Sequence, residues 1–393
     1  MRRVYFDHNA TTPLAPQVVQ AMMPFLAEEY GNASSIHSVG QRARAGVEQA
    51  RAQVAALIGA REKEIVFTSG GTEADNLALR GVVGAAERLR KHVITSTIEH
   101  HAVLNTCQAL EAEGICVTYV PVNPAGLVDP EEVRRALTPD TVLITVMHAN
   151  NELGTLQPVA EIARIAREHR IPFHTDAVQS AGKIPVDVRA LGVDLLSLSA
   201  HKIYGPKGVG ALYIRGGLPL KPLMFGGHHE RDRRPGTENV AGIVGLGAAA
   251  ELAAAHLDSE GARLAVLRDE LEEGILVRVP HAGINGDRHR RTPNTTNVCF
   301  DFVEGEALVI ALDLKGIACS TGAACSSGAV EPSHVLTAIG LPPERARASL
   351  RFSLGRQNTR DDIAHVTEML PGVVEHLREL SPLYKRPVAA TPQ

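Results

Sequence analysis

Residues 197–210 read SLSAHKIYGPKGVG, and the organisation of the chain follows from them. An apolar run at 193–198 leads into this stretch and has the character of a buried strand. Lys202 therefore arrives at the rim of a sheet, between that strand and a loop rich in glycine and proline. Gly205, Pro206, Gly208 and Gly210 shape a turn tight enough for backbone to approach a ligand. Ser199 and His201 set a hydroxyl and an imidazole beside the amine. One chemical reading is a lysine that forms a Schiff base with a carbonyl cofactor, for which its ordinary pKa of about 10.4 must be pulled down by burial or neighbours. The other is a lysine in a basic loop after a strand. The rest of the chain decides between them.

Working outward, the sequence falls into a rhythm. Strands are predicted at 64–68, 92–96, 115–120, 141–147, 171–176, 193–198 and 209–214, and helices at 72–90, 102–113, 130–137 and 159–168. Before them, Val47, Ala50, Val54, Leu57 and Ile58 recur at three- and four-residue spacing, an amphipathic helix. Strands alternating with helices give an α/β fold, a large domain whose mostly parallel sheet is flanked by helices. In such sheets ligands bind at the carboxyl ends of the strands. The polar clusters TSGGTEADN, TIEHH, HANNELG, HTDAVQ and SAHK each follow a predicted strand. Beyond residue 219 the alternation loosens, with helices predicted at 240–256, 262–276, 306–315, 332–339 and 360–380 and strands at 296–302 and 349–354. This mixture predicts a smaller α+β domain made of residues 1–15 and 260–393, with 16–259 forming the large one.

The bulk numbers narrow the class. A net charge of -4 argues against a nucleic-acid or membrane-surface binder. No apolar segment follows the arginines of MRRVYFDHN, so no signal peptide is expected, and the apolar run 240–250 is too short to span a bilayer. Cytoplasm is the expected compartment. Five cysteines, at 107, 116, 299, 319 and 325, form no CxxC pair and no even disulfide framework. Cys107, Cys299 and Cys116 read as small buried hydrophobes. None of the histidines falls in a tight metal-ligand spacing, so no metal site is expected.

Two motifs deepen the reading of Lys202. SGGTEADN, at 69–76, runs from a strand end through two glycines into a helix start, where free N–H groups favour a phosphate. It matches no nucleotide-binding spacing, and a helix merely capped by Thr72 is the other reading. Asp176 ends another predicted strand; a lysine Schiff base with an acidic partner for a pyridinium nitrogen is the pattern of a pyridoxal phosphate site. His100, after a third strand, could stack on such a ring or could be a solvated histidine.

VYFDHNATTP, GNASSIHSVG, FTSGGTEADN, IEHHAVLNTC, MHANNELG, DAVQSAGK and SAHKIYGPKGVGALYI, continued by RPGTEN, GAACSSGAVEPSHVL and LRFSLGR, resemble the cysteine desulfurases. These are pyridoxal phosphate enzymes of fold type I within the class V aminotransferase-like family, and the likeness covers nearly the whole chain. The loop around 316–330 resembles the longer-loop, nitrogen-fixation and housekeeping group. The resemblance implies a homodimer that takes sulfur from L-cysteine, leaving L-alanine and a persulfide for iron–sulfur cluster or thio-cofactor synthesis. It implies that Lys202 holds pyridoxal 5′-phosphate and moves protons on the substrate, that Asp176 pairs with the ring nitrogen, that His100 stacks on the ring, and that Gln179 meets the ring hydroxyl. Gly71, Thr72, Ser199 and His201 would bind the phosphate, joined by Thr237 from the neighbouring subunit. Asn151 would serve cofactor and substrate, and with Arg351 would hold the substrate carboxylate.

Cys325 is implied as the nucleophile that attacks the substrate sulfur, giving a catalytic set of Cys325, Lys202 and His100. Independently, residues 316–329 are almost all Gly, Ala, Ser, Cys and Thr, too small to anchor a loop, as a thiol that visits a site and then an acceptor requires. Cys319, nearby in the chain, could trap sulfur as a disulfide. The partner would be a sulfur acceptor such as an iron–sulfur scaffold, with neither nucleic acid nor membrane involved directly. No metal is expected, beyond a cluster that a Cys325 persulfide could help ligate. A selenocysteine lyase or an aminotransferase on the same fold is the nearest rival, and a non-catalytic sulfur-transfer scaffold the rival of another class.

Overall fold

A computed structural model of the chain describes residues 2–321, 332–382 and 384. Its centre is a seven-stranded sheet in the order Ile65–Thr68, Gly210–Ile214, Leu195–Ser199, Phe173–Asp176, Thr141–Thr145, His92–Ser96 and Cys116–Val120. All neighbours run parallel except Gly210–Ile214, which is antiparallel to both strands beside it. The interior strands are buried at every position, which explains why they read as unbroken apolar runs rather than alternating ones. The outer strand Cys116–Val120 is half-covered, and Cys116 is exposed on it. The expectation of a buried Cys116 is thus corrected: an edge position offers its side chain no second layer.

Helices cover the two faces. Ser38–Leu57 buries Val47, Ala50 and Val54 of the predicted amphipathic stripe. Gly71–Ala85 is shorter than the 72–90 expected; the chain turns away after Ala85, and Lys91 Nζ donates to Val83 O at 2.7 Å on the way into the next strand. The residue before this helix is Gly70, and no side chain caps it, so Thr72 is not its cap. Gly210 permits a close approach nearby, since a Cβ there would lie 2.7 Å from Gly70 Cα.

The two helices predicted at 240–256 and 262–276 are one continuous helix, Val240–Arg278. No proline interrupts it, and the cost of Gly261 in a helix, about 1 kcal/mol, is outweighed by packing at both ends. Ile243, Leu246 and Ala250 join the core beside the large sheet. Leu264, Leu267, Leu271 and Ile275 join a second core with Val4, Phe6, Phe300, Phe352 and Leu370. The helix passes residues 259 and 260 unbroken. It is the one helix among the described residues long and apolar enough to cross a bilayer by composition, yet half of its apolar window is buried inside the protein.

The second core lies against a three-stranded antiparallel sheet, with Thr295–Phe300 between Ser349–Ser353 and Ala282–Asn285, and the helix Arg360–Leu380. The amino-terminal strand Val4–Tyr5 pairs with Ile317–Ala318, which carries residues 7–10 to the seam between the two cores.

A buried ion pair ties the strand Ile65–Thr68 to its surroundings. The two terminal guanidinium nitrogens of Arg51 donate to Glu230 at 2.8 Å, and Glu230 also accepts the Phe67 N–H at 2.9 Å. Replacing one partner of such a pair leaves the other charge buried alone. Arg51→Met should lower the free energy of denaturant-induced unfolding by about 3–5 kcal/mol; a loss under 1 kcal/mol would show that Glu230 finds water or another cation.

Candidate active site

The strand ends converge as a parallel sheet dictates. Asp176 closes Phe173–Asp176 and Ser199 closes Leu195–Ser199, with Lys202 completing a single 3₁₀ turn beyond it. Gly71 and Thr72 open the helix after Ile65–Thr68, and His100 immediately precedes the helix His101–Ala112. These residues, with Asn151, Gln179, His201 and Arg351, line one cavity of about 360 Å³. Asn9, Ala10 and Asp75 line it too, none of them anticipated there from sequence. Thr237 is apart from it, exposed after the loop that carries Glu230. Cys325 lies outside the described residues. A larger cavity of about 720 Å³ sits at the opposite strand ends, lined by Arg61, Arg167, Arg170, Arg189 and Arg215 without a lysine.

The amine of Lys202 donates to Asn9 O at 2.6 Å and Ala10 O at 2.7 Å. Burial, then Arg351, pushes it down to about 8 against the opposing pull of Asp176 and Asp7. Roughly a tenth of such amines are neutral at pH 7, far more than for an ordinary lysine. Burial pushes Asp176 up to about 6, held back by the Val178 N–H on Oδ1 at 2.8 Å and by Lys202. A carboxyl in that position gains from a cation brought against it. Asp75 is buried behind it, raised by its own burial and by Asp176, and its Oδ1 has no hydrogen-bond partner.

His100 accepts the Ala102 N–H on Nδ1 at 3.1 Å, so the ring's proton resides on Nε2. Burial, Lys202 and the neighbouring His101 and His334 push it down to about 4, and the ring is neutral at pH 7. His201, on Thr11 Oγ1 at 3.1 Å, is pushed to about 4 by burial and by Lys202. Gln179 Nε2 donates to Asn9 O at 2.9 Å. Arg351 donates to Asp7 Oδ1 at 2.7 Å and Asn151 O at 3.1 Å, while its buried Nε has no partner.

This donor set fits pyridoxal 5′-phosphate. The amine matches an aldehyde, the under-partnered carboxyl of Asp176 a ring cation, and the neutral ring of His100 a flat aromatic face. The helix start at Gly71, with Ser199 and His201 beside it, matches a phosphate. A Cβ at Gly71 would lie 2.9 Å from Val178 Cγ2, so a larger residue there would force Val178 to shift. Arg351 keeps an uncommitted donor for a carboxylate.

Cys107, Cys299 and Cys319 are buried thiols. Burial pushes Cys107 and Cys319 up to about 12, and Cys299 is buried and raised as well. Cys319 packs in the second core, so at neutral pH it is a protonated thiol and poorly placed to trap sulfur. Among the described residues no group of three or more His, Cys, Asp or Glu could hold a metal ion.

Asn9 and Asp7 are missed for one reason. Asn9 meets Lys202 across 193 positions of sequence, and Asp7 meets Arg351 across 344. The one local signal was the polar density of FDHNATTP, which also describes an ordinary turn.

The model of the family described as aminotransferase class-V matches residues 4–366. Cysteine desulfurase IscS of Dictyoglomus turgidum is 52% identical over 385 residues, covering 98% of both chains. Cysteine desulfurase IscS of Methanosarcina thermophila is 52% identical over 382 residues, covering 97% of this chain and 94% of its own. Among solved structures, a NifS-like protein superposes with a TM-score of 0.90 at 39% identity, covering 96% of this chain and all of that one. SspA in complex with cysteine superposes with a TM-score of 0.81 at 40% identity, covering 90% of this chain and 99% of that one.

Because only the neutral amine attacks a carbonyl, cofactor-free protein should form its covalent pyridoxal phosphate adduct about tenfold faster per pH unit up to about 8, then level off. Reductive trapping at a series of pH values measures this. A climb that continues to pH 10 would mean that Lys202 has an ordinary pKa.

Proposed function

We infer that this chain, which belongs to the class-V aminotransferase family and within it to the cysteine desulfurases, removes sulfur from L-cysteine, leaves L-alanine and keeps the sulfur as a persulfide on Cys325. The observation that carries the reading is the meeting, in one cavity, of the Lys202 amine at about 8 with an Arg351 that holds a donor in reserve. An α-amino acid brings the groups that these two side chains engage.

Pyridoxal phosphate, when bound, supplies an electron sink for bonds at the substrate's α- and β-carbons. The remaining work falls to the chain. Lys202 would anchor the cofactor, release it to the incoming amino group and carry the proton of the substrate's α-carbon. Arg351 and Asn151 would hold the carboxylate and so aim that carbon at Lys202. Asp176 would stay ionised against the ring nitrogen, His100 would cover the ring, and Gln179 would meet its oxygen. Gly71, Thr72, Ser199 and His201 would grip the phosphate.

Cys325 as thiolate would attack the substrate sulfur. The S–S bond forms as the C–S bond breaks, the electron pair stays with the substrate carbon, and protons complete the methyl group of alanine. Ser320 lines the cavity five residues before Cys325, and five residues of chain reach at most roughly 18 Å. That short separation in sequence supports Cys325 as the nucleophile of this reading.

A homodimer accounts for Thr237, which is exposed here and would complete the partner's phosphate site. Tyr30, Ile36 and Phe225 are large apolar side chains open to solvent, and the loops that carry Ile36 and Phe225 adjoin one cavity lined by Ser34 and His228. Such exposure suits an interface between copies. The sulfur would pass to an acceptor protein, an iron–sulfur scaffold in this reading, in the cytoplasm.

Incubation with L-cysteine and a thiol reductant should yield alanine and sulfide in equal amounts. Cys325→Ser should keep the cofactor's colour yet release sulfide at least about 100-fold more slowly, and Lys202→Ala should lose the colour. Sulfide release undiminished in Cys325→Ser would remove the assigned nucleophile, and a cofactor-loaded wild type that makes no alanine would remove the function.

A further inference from the structure

Lys183 borders the site but has no part in the chemistry above. Its Nζ donates to Gln179 Oε1 at 2.8 Å and to Asn9 Oδ1 at 3.0 Å. Gln179 Nε2 in turn donates to Asn9 O at 2.9 Å, the same carbonyl that accepts from Lys202. Asn9 is fixed as well, its Nδ2 donating to Thr295 Oγ1 at 2.8 Å and to Asn151 O at 3.1 Å.

These contacts decide which way round the Gln179 amide sits. A backbone carbonyl can only accept, so Nε2 must face Asn9 O, and Oε1 is taken by the lysine. Turning the amide over would set oxygen against oxygen and N–H against N–H. One N–H of Nε2 is then left, on a side chain that lines the cavity. Burial, Lys202 and Arg351 lower the affinity of Lys183 for its own proton, but an amine in either charge state has the two hydrogens these contacts use. The other titratable groups influenced by its charge are His8 and His201.

We propose that Lys183 is a positioning residue that locks the Gln179 amide with an N–H toward the cofactor's ring oxygen, so that the ionised form of that oxygen is favoured and the nitrogen linking cofactor to Lys202 binds its proton less tightly. The proposal rests on the reading that Gln179 meets the ring oxygen. It assigns Lys183 a role through Gln179 rather than through its own charge.

The test is a double-mutant cycle on cofactor-loaded protein, read as the pH midpoint of the visible colour change without substrate. Lys183→Met and Gln179→Leu should each raise the midpoint by about one pH unit, and the double variant by the same unit rather than by two. Summed shifts would mean that Lys183 acts by charge alone, which overturns the proposal. A midpoint unmoved in Lys183→Met but raised in Gln179→Leu overturns it too, with the role of Gln179 intact. If Gln179→Leu leaves the midpoint in place, the underlying reading fails. Should Lys183→Met not fold, Lys183→Arg retains donors for Oε1 and should keep the wild-type midpoint; a rise of about one unit would sink the proposal.

Discussion

A lysine amine largely withdrawn from water at the edge of a sheet is the constraint on which this structure turns. Removing an ammonium from solvent is costly, and the site limits the cost in two ways. Two backbone carbonyls, from Asn9 and Ala10, take the hydrogens of Lys202. Asp176 and Asp7 oppose the shift that burial imposes, leaving the amine poised near 8 rather than neutralised outright. The same desolvation raises Asp176 and lowers His100, so one physical effect prepares a nucleophile, an acid in want of a cation, and an uncharged ring.

The amino-terminal residues are what make this economical. Asp7 orients Arg351, Asn9 receives Lys202, Lys183 and Gln179, and Ala10 completes the bonding of the amine. A segment with little structure of its own thus acts as a clasp across the seam between the two hydrophobic cores. Its short pairing of Val4–Tyr5 with Ile317–Ala318 holds that clasp against the second core.

Much of this was legible in the sequence, for identifiable reasons. Strands such as Leu195–Ser199 are buried on both faces and so announce themselves as apolar runs ended by polar residues. That pattern also brought Asp176, Lys202, His100 and Gly71 to one edge of the sheet. The failures came where local pattern carries no information. Gly261 and its polar neighbours looked like a break, yet packing at both ends keeps Val240–Arg278 one helix. Cys116 has the composition of a buried residue but sits on an outer strand. Of the two readings of Thr72, the helix cap falls away, because the helix begins before it and no side chain caps it. The contacts of Lys183 with Asn9 and of Arg351 with Asp7 span 174 and 344 positions, beyond the range of any periodicity.

The helix Val240–Arg278 has a wider meaning for what the site will accept. Lys202 belongs to the first core's sheet and Arg351 to the strand Ser349–Ser353 beside the second, while this single rod is embedded in both. The gap between amine and guanidinium is accordingly gauged like the jaws of a fixed caliper. In the proposed reaction that gap would answer to the span from α-amine to carboxylate, and repacking along the rod would change it from a distance.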